Sequence, residues 1–280
     1  MLEVSEREMA NDEGDLPYGR ARPDPKLPVL LILHQHHSNP GHVGQWFRRN
    51  GYALDIRRHF NGDPLPRTLI GHAGAIIFGG PQSANDSLDY IRREVDWIAV
   101  PLKEKKPFLG ICLGAQMLAH HLGARVDHCR RGSVEIGYHP IRATSEGEAL
   151  EFPDRVYQWH REGFDLACGS TLLATSEGAY PNQAFRYGSG YGFQFHPEIT
   201  FLQVNRWSGS NPVRLLLRGA RPRQHHIETH LMEAPKVHRW LDRFLTRWAA
   251  GQLSFPDSGT HCANCDPSLS VRTSAIPSCA

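Results

Sequence analysis

Two hydrophobic patterns alternate along the first half of the chain. "LPVLLILHQ" is a continuous apolar run with a polar end, as expected of a strand buried on both faces. "NPGHVGQWFRRNG" reads as a helix entered after Pro40 and stopped by Gly51. "YALDIRR" is a second strand, and "AGAIIFGGPQSAND" is a third that runs into a glycine-rich turn. In "SLDYIRREVDWIAVPLKEK" the residues Leu88, Ile91, Val95 and Ile98 recur at helical spacing, which predicts one helix. "KPFLGIC" is another buried strand and "GAQMLAHHLG" another helix. Strand and helix in alternation predict a parallel sheet with helices on both faces. In such sheets the working residues gather at the carboxyl ends of the strands. Gly79–Pro81 and Cys112 fall there.

From about Val126 the pattern changes. "SVEIGYHPIRAT", "RVYQWH", "TLLATSE", "NQAFRYG" and "YGFQFHPE" are short strand-like runs between turns, which predicts an antiparallel section. Residues 198–234 hold a helical "NPVRLLLRGA" and a polar, His-rich middle without one clear period. "APKVHRWLDRFLTRWAAG" predicts a closing helix, with Val237, Trp240, Leu241, Phe244 and Leu245 on one face.

The ends differ from this body. Residues 1–27 are rich in charge and Pro and residues 252–280 in Ser, Pro and Cys, so both are expected to be disordered around a domain over 28–251. The formal net charge of +2 gives no reason to expect nucleic acid or an anionic membrane as partner. No apolar run approaches the roughly 20 residues that span a bilayer, and the acidic N-terminus lacks the apolar stretch of a secretory signal. A cytoplasmic location is the expectation. The six cysteines are too thinly spread for a disulfide scaffold.

The chemistry centres on "GICLG". Cys112 stands between two glycines, where a buried strand turns into a helix, the context of a nucleophile elbow. Small neighbours let the backbone turn sharply, and the following helix directs N–H dipoles toward the sulfur, favouring the thiolate. The competing reading is a buried structural cysteine. A nucleophilic thiol needs a base and a group that orients it. "YGFQFHPEIT" offers His196 and Glu198, which share a face if the strand continues through them. There a neutral His196 can take the thiol proton while Glu198 fixes its tautomer. The glycine turn "FGGPQSAND" presents backbone N–H groups, with Gly80 and Leu113 as candidate donors to an oxyanion.

Taken together, "GGPQS", "GICLGAQMLAHHLGARV" and "GFQFHPE" resemble the class I, triad-type glutamine amidotransferase family, in that family's order and spacing. "EIGYHP", "VYQWHREGFDLACGSTLLATSE" and "NQAFRYG" extend the resemblance toward the stand-alone branch related to the amidotransferase domain of GMP synthase. The likeness runs from about Val29 to Gly251. It implies a flavodoxin-like three-layer α/β sandwich, mainly parallel with a small antiparallel section. It also implies Cys112 as nucleophile, His196 as general base, Glu198 as its partner, oxyanion contacts at Gly80 and Leu113, and Gln116 holding the γ-glutamyl group. The implied reaction is attack on the side-chain amide of glutamine, release of ammonia to an acceptor enzyme, and hydrolysis of the thioester, with no cofactor. Relatives often carry "WHGD" where this chain has "WHRE" at Trp159–Glu162, a change at the pocket rim that bears on substrate choice. No phosphate-binding loop follows Gly251, so an ATP-using amination is expected to need a synthetase in trans.

Three rival readings stand beside this one. In the first, the same thiol serves γ-glutamyl peptides or conjugates. In the second, the fold is a non-catalytic binding or regulatory component. The third, an α/β-hydrolase, is disfavoured because its acid precedes the histidine in chain order. Metal is not expected. "HCANCD" has only His261, Cys262 and Cys265, with Cys279 further on, where structural zinc wants four ligands. His34, His36, His37 and His42 in "HQHHSNPGH" read as a polar loop after a strand.

Overall fold

The computed structural model describes residues 26–253. The expectations for the leader and the tail, including His261, Cys262, Cys265 and Cys279, otherwise lie outside the described residues. Strand β1 (Lys26–Ile32) starts two residues inside the segment assigned to the leader. It is followed by α1 (Gly41–Arg49), β2 (Tyr52–Arg57), β3 (Gly74–Ile77), α2 (Asp89–Trp97), α3 (Ala99–Lys103), β4 (Phe108–Ile111) and α4 (Leu113–His121). The second half contains β5 (Val126–His128), β6 (Glu135–Pro140), β7 (Arg142–Ala143), β8 (Arg155–His160), β9 (Glu162–Phe164), β10 (Thr171–Thr175), β11 (Asn182–Tyr187) and β12 (Gly190–Phe193). It ends with α5 (Phe201–Ser210), a short 3-10 turn (Pro212–Leu216) and α6 (Arg223–Ala249).

Eight strands form the main sheet in the order β2-β1-β3-β4-β12-β11-β10-β7. Pairing is parallel from β2 to β12 and antiparallel from β12 to β7. Alternation along β1 explains the three layers. Val29 and Leu31 face Phe47, Trp240, Phe244 and Trp248 on one side, while Leu30 and Ile32 face Ile91, Val95 and Met117 on the other. Each face buries its own apolar set, so a polar residue in mid-strand would be buried on either side. The sequence order reverses at β1, between β2 and β3. This is the switch point at which open α/β sheets place their ligand crevice.

Several elements differ from the sequence pattern. The single helix expected over 87–105 is two, α2 and α3, because Pro101 has no N–H to continue the ladder and its ring crowds the carbonyl one turn earlier. Leu88 is the extended cap of α2 and is 46% exposed, whereas Glu94 occupies the buried face. The run "SVEIGYHPIRAT" is divided between β6, which pairs with β8 apart from the main sheet, and β7 at the sheet edge. Helix α6 begins eleven residues before the Ala234 start read from its apolar stripe and continues through Pro235. Its first turns bury His226, Thr229 and His230, so no apolar stripe marks them. Two of these polar side chains are satisfied by tyrosines of the small sheet: His226 Nδ1 meets the Tyr157 hydroxyl at 3.0 Å, and His230 Nδ1 meets that of Tyr138 at 2.8 Å. No described helix is long and apolar enough to cross a membrane.

Candidate active site

Cys112 sits between β4 and α4 with φ +52° and ψ −104°, a conformation rare for any residue with a side chain. Its two glycines explain how the chain tolerates this. A methyl group on Gly110 would run into the Gly114 carbonyl, and one on Gly114 into the Ile77 carbonyl of the neighbouring strand. The strand–turn–helix is therefore pressed closely onto β3. The backbone is held further by Cys112 N–H donating to Phe193 O at 2.7 Å and Gln116 N–H donating to Cys112 O at 3.0 Å.

His196 and Glu198 come to the same place by a different route from the one the sequence pattern implied. Strand β12 ends at Phe193, and Pro197 and Glu198 form a turn, so the two side chains do not share a strand face. The turn nevertheless brings His196 Nδ1 to 2.9 Å from Glu198 Oε1, while the ring lies within electrostatic reach of Cys112. Both His196 and Glu198 are buried, at 3% exposure each. Burial disfavours the charged ring, but the Glu198 carboxylate and Cys112 together outweigh it and raise the imidazole well above its ordinary value. Trp207 stands edge-on to the His196 ring, with centroids 5.0 Å apart.

The turn is pinned from behind. His42 N–H donates to Glu198 O at 2.8 Å, and His238 Nε2 donates to Ile199 O at 2.9 Å. The rings of His42 and His238 stack at 4.0 Å, and His42 Nε2 bonds Asp242 Oδ1 at 2.7 Å. At Gly41, φ is +51° and a methyl would strike the Glu198 carbonyl, so that position too requires glycine.

A second buried pair lies under the glycine turn. His34 Nε2 is 2.7 Å from Glu94 Oε2, and both side chains are fully buried. His34 Nδ1 faces the Gly79 carbonyl at 3.4 Å. The ring therefore lies between two acceptors, a carboxylate oxygen and a backbone carbonyl. Gly79 O and Gly80 N–H belong to one trans peptide and point in opposite directions, so anchoring the carbonyl on His34 turns the Gly80 N–H away from it. A methyl on Gly79 would lie 2.7 Å from His196 Cε1, which shows how near this turn comes to the histidine.

These groups line one cavity of about 760 Å³, which holds Gly79, Gly80, Cys112, Gln116, His196 and Glu198. Leu113, the other expected N–H donor, is the first residue of α4, immediately after the cysteine. Gln116 Nε2 donates to Glu162 O at 2.9 Å and lies 3.3 Å from Gln194 Oε1. Glu162 O also meets His160 Nδ1 at 2.9 Å, and His160 Nε2 lies 3.3 Å from Glu135 Oε2. Burial pushes the Glu135 carboxyl up, but His160, His139 and Gln183 outweigh it and hold it below its usual range. From the "WHRE" segment, Arg161 and Glu162 both reach the cavity.

Sequence reasoning missed Glu94, Trp207, Arg206 and Arg214. Glu94 lies outside the apolar spacing that defines its helix, and the other three lie in the stretch without clear periodicity. The histidines of "HQHHSNPGH" go separate ways, His34 to Glu94 and His42 to Asp242. Among the described residues no group of three or more His, Cys, Asp or Glu is placed to hold a metal ion.

A cysteine elbow at the crevice of a mainly parallel sheet marks a class of α/β proteins, and the comparisons with known proteins narrow it to a family. Residues 41–203 match the glutamine amidotransferase class-I family. The chain is 33% identical over 184 residues to the glutamine amidotransferase-like protein YfeJ of Salmonella typhimurium, covering 61% of this chain and 76% of that one. It is 27% identical over 175 residues to a subunit of the glutamine-hydrolysing GMP synthase of Thermoplasma volcanium, covering 58% and 83%. A solved glutamine amidotransferase from Thermotoga maritima superposes with a TM-score of 0.73 at 33% identity, covering 80% of this chain and 98% of that one. The chain spans 26% of the longer GMP synthases it matches. This protein belongs to the class I glutamine amidotransferase family and has its flavodoxin-like fold.

Proposed function

We propose that the protein hydrolyses the side-chain amide of glutamine with Cys112 as nucleophile, His196 as base and proton carrier, and Glu198 as the group that orients and charges His196. The observation that carries this reading is the strained Cys112 elbow beside a buried His196–Glu198 pair. A more basic imidazole favours transfer of the thiol proton to His196, which leaves a thiolate to attack the amide carbon. The developing oxyanion would be met by N–H groups of Gly80 and Leu113. His196 then protonates the leaving nitrogen, ammonia departs, and water, deprotonated by the same ring, opens the γ-glutamyl thioester. Gln116, fixed by Glu162 and Gln194, supports one wall of the γ-glutamyl site.

The ammonia would go to a synthetase supplied by another chain, as the likeness to one subunit of a GMP synthase suggests. The mouth of the cavity supports such docking, because Leu202, Val213 and Leu216 are 72%, 74% and 85% exposed there or just beyond it. Incubation with glutamine should release glutamate and ammonia in equal amounts, and Cys112→Ala should abolish this without changing the unfolding midpoint. Turnover that survives Cys112→Ala would sink the reading.

A further inference from the structure

Three arginines line the cavity that contains Cys112. Arg161 follows β8, Arg206 is on α5, and Arg214 is in the 3-10 turn. None of them takes part in any ion pair among the described residues. The side-chain contact found for Arg206 is a 3.5 Å approach to the His37 carbonyl. Arg214 is partly buried, and it lies within electrostatic reach of both Arg161 and Cys112. Burial, with the Arg161 charge added, disfavours its cation. Arg161 is exposed and Arg214 half-buried, and an anion arriving between like charges would relieve their repulsion.

The cavity's own carboxylates do not serve as that anion. Glu198 is engaged with His196. Glu162 accepts from the Ser83 hydroxyl at 3.1 Å and lies 3.5 Å from His128 Nδ1. Free glutamine has one carboxylate and one ammonium, with no net charge. A γ-glutamyl amino acid has a second carboxylate on the amine that leaves. Guanidinium groups bind carboxylates through paired N–H donors, and the cavity volume of about 760 Å³ is ample for a substrate larger than glutamine.

We propose that Arg161, Arg206 and Arg214 form a carboxylate subsite beside Cys112, and that the same thiol cleaves γ-glutamyl amino acids and short γ-glutamyl peptides. The proposal rests on Cys112 as nucleophile. Its sulfur bonds to the γ-carbonyl carbon, the C–N bond breaks, and the amino acid leaves in place of ammonia with a proton from His196. Water then hydrolyses the thioester, so γ-glutamyl amino acid and water give glutamate and the free amino acid.

The test compares γ-glutamylglycine with γ-glutamylglycinamide, which has the same length but a neutral end. On the full chain, glutamate release should show kcat/KM at least tenfold higher for the acid, carried mainly by KM. The ratio should fall toward one in Arg214→Ala and Arg161→Ala and recover in part in Arg214→Lys. It should also shrink as salt is raised. Equal rates for acid and amide, or a ratio unchanged in both alanine variants, would overturn the proposal. Calorimetric binding of the same two compounds to Cys112→Ala separates the two failures. If no substrate is turned over but the acid still binds at least tenfold tighter, the subsite stands and the nucleophile reading falls. If neither binds preferentially, the subsite falls.

Discussion

The buried His34–Glu94 pair makes a demanding prediction, because both side chains are fully buried and sit directly under the Gly79–Gly80 turn. Replacing Glu94 with methionine keeps the side-chain length but leaves the His34 ring without its acceptor on Nε2. Breaking a buried pair from one side costs about 3–5 kcal/mol, since the partner left behind stays desolvated and unpaired. In a domain of this size each kcal/mol moves the unfolding midpoint by about 2–4 °C, so Glu94→Met should lower it by roughly 6–20 °C. Removing both partners, as in His34→Leu with Glu94→Met, takes the unpaired buried group away. That double variant should be far more stable than the sum of the two single changes, which a double-mutant cycle in urea measures directly.

Activity should respond differently. The double variant restores stability but leaves the Gly79 carbonyl without its donor, so the orientation of the Gly80 N–H is no longer fixed. Loss of one oxyanion donor lowers kcat by about 10²–10³. The double variant should approach that range, with kcat reduced at least tenfold and KM nearly unchanged. A Glu94→Met cost below about 1 kcal/mol, additive single changes, or a double variant with unaltered kcat would refute the reasoning.

Two further predictions concern the elbow and the helix behind it. Gly114→Ala places a methyl against the Ile77 carbonyl. It should destabilise by about 1–3 kcal/mol or more and depress kcat further than that loss explains, as thermal unfolding and turnover at a permissive temperature would show. Burial pushes His226 and His230 down to about 4, against about 6.5 in the unfolded chain. The unfolded state therefore binds more protons between those values, so their contribution is complete above about pH 6.5 and is lost as pH falls toward 4. Unfolding free energy measured by urea should decline across that window, and His226→Gln should flatten the decline.

Much of the fold was legible because strands buried on both faces and helices buried on one leave different periods. The elbow was legible for a steric reason: the contacts of Gly110 and Gly114 with their neighbours leave room for no other residue. His196 and Glu198 were legible as residues but not as geometry, since a turn through Pro197 does what a strand face was expected to do. The first half of α6 could not be read from hydrophobicity, because its buried positions are His226, Thr229 and His230, and the two histidines find their partners in tyrosines about 70 to 90 residues earlier. Arg206 and Arg214 were hidden for a related reason. Their meaning depends on sharing a cavity with Arg161, and no local spacing records that.

The strained backbone at Cys112 costs on the order of 1–3 kcal/mol and persists only if its surroundings over-determine it. Those surroundings are apolar on the core side of Cys112, which belongs to the main core cluster, and polar on the cavity side. Gly79 is anchored by the His34–Glu94 pair, and the Glu198 turn by His42 N–H and by His238. The Gln116 amide is anchored on Glu162 O, which is backed by His160 and Glu135. The bonds to Gly79 O, Glu198 O and Ile199 O each hold a backbone carbonyl in the glycine turn or the turn after His196. Apolar packing is non-directional and tolerates volume-conserving exchange at modest cost, whereas a hydrogen bond to a carbonyl fixes the direction of a peptide. The geometry of the site should therefore be far more sensitive to changes at His34, Glu94 and His238 than to volume-conserving exchanges at core positions such as Leu31 or Met117. Those core positions set how stable the sheet is. The buried polar set fixes where its carboxyl-end loops point.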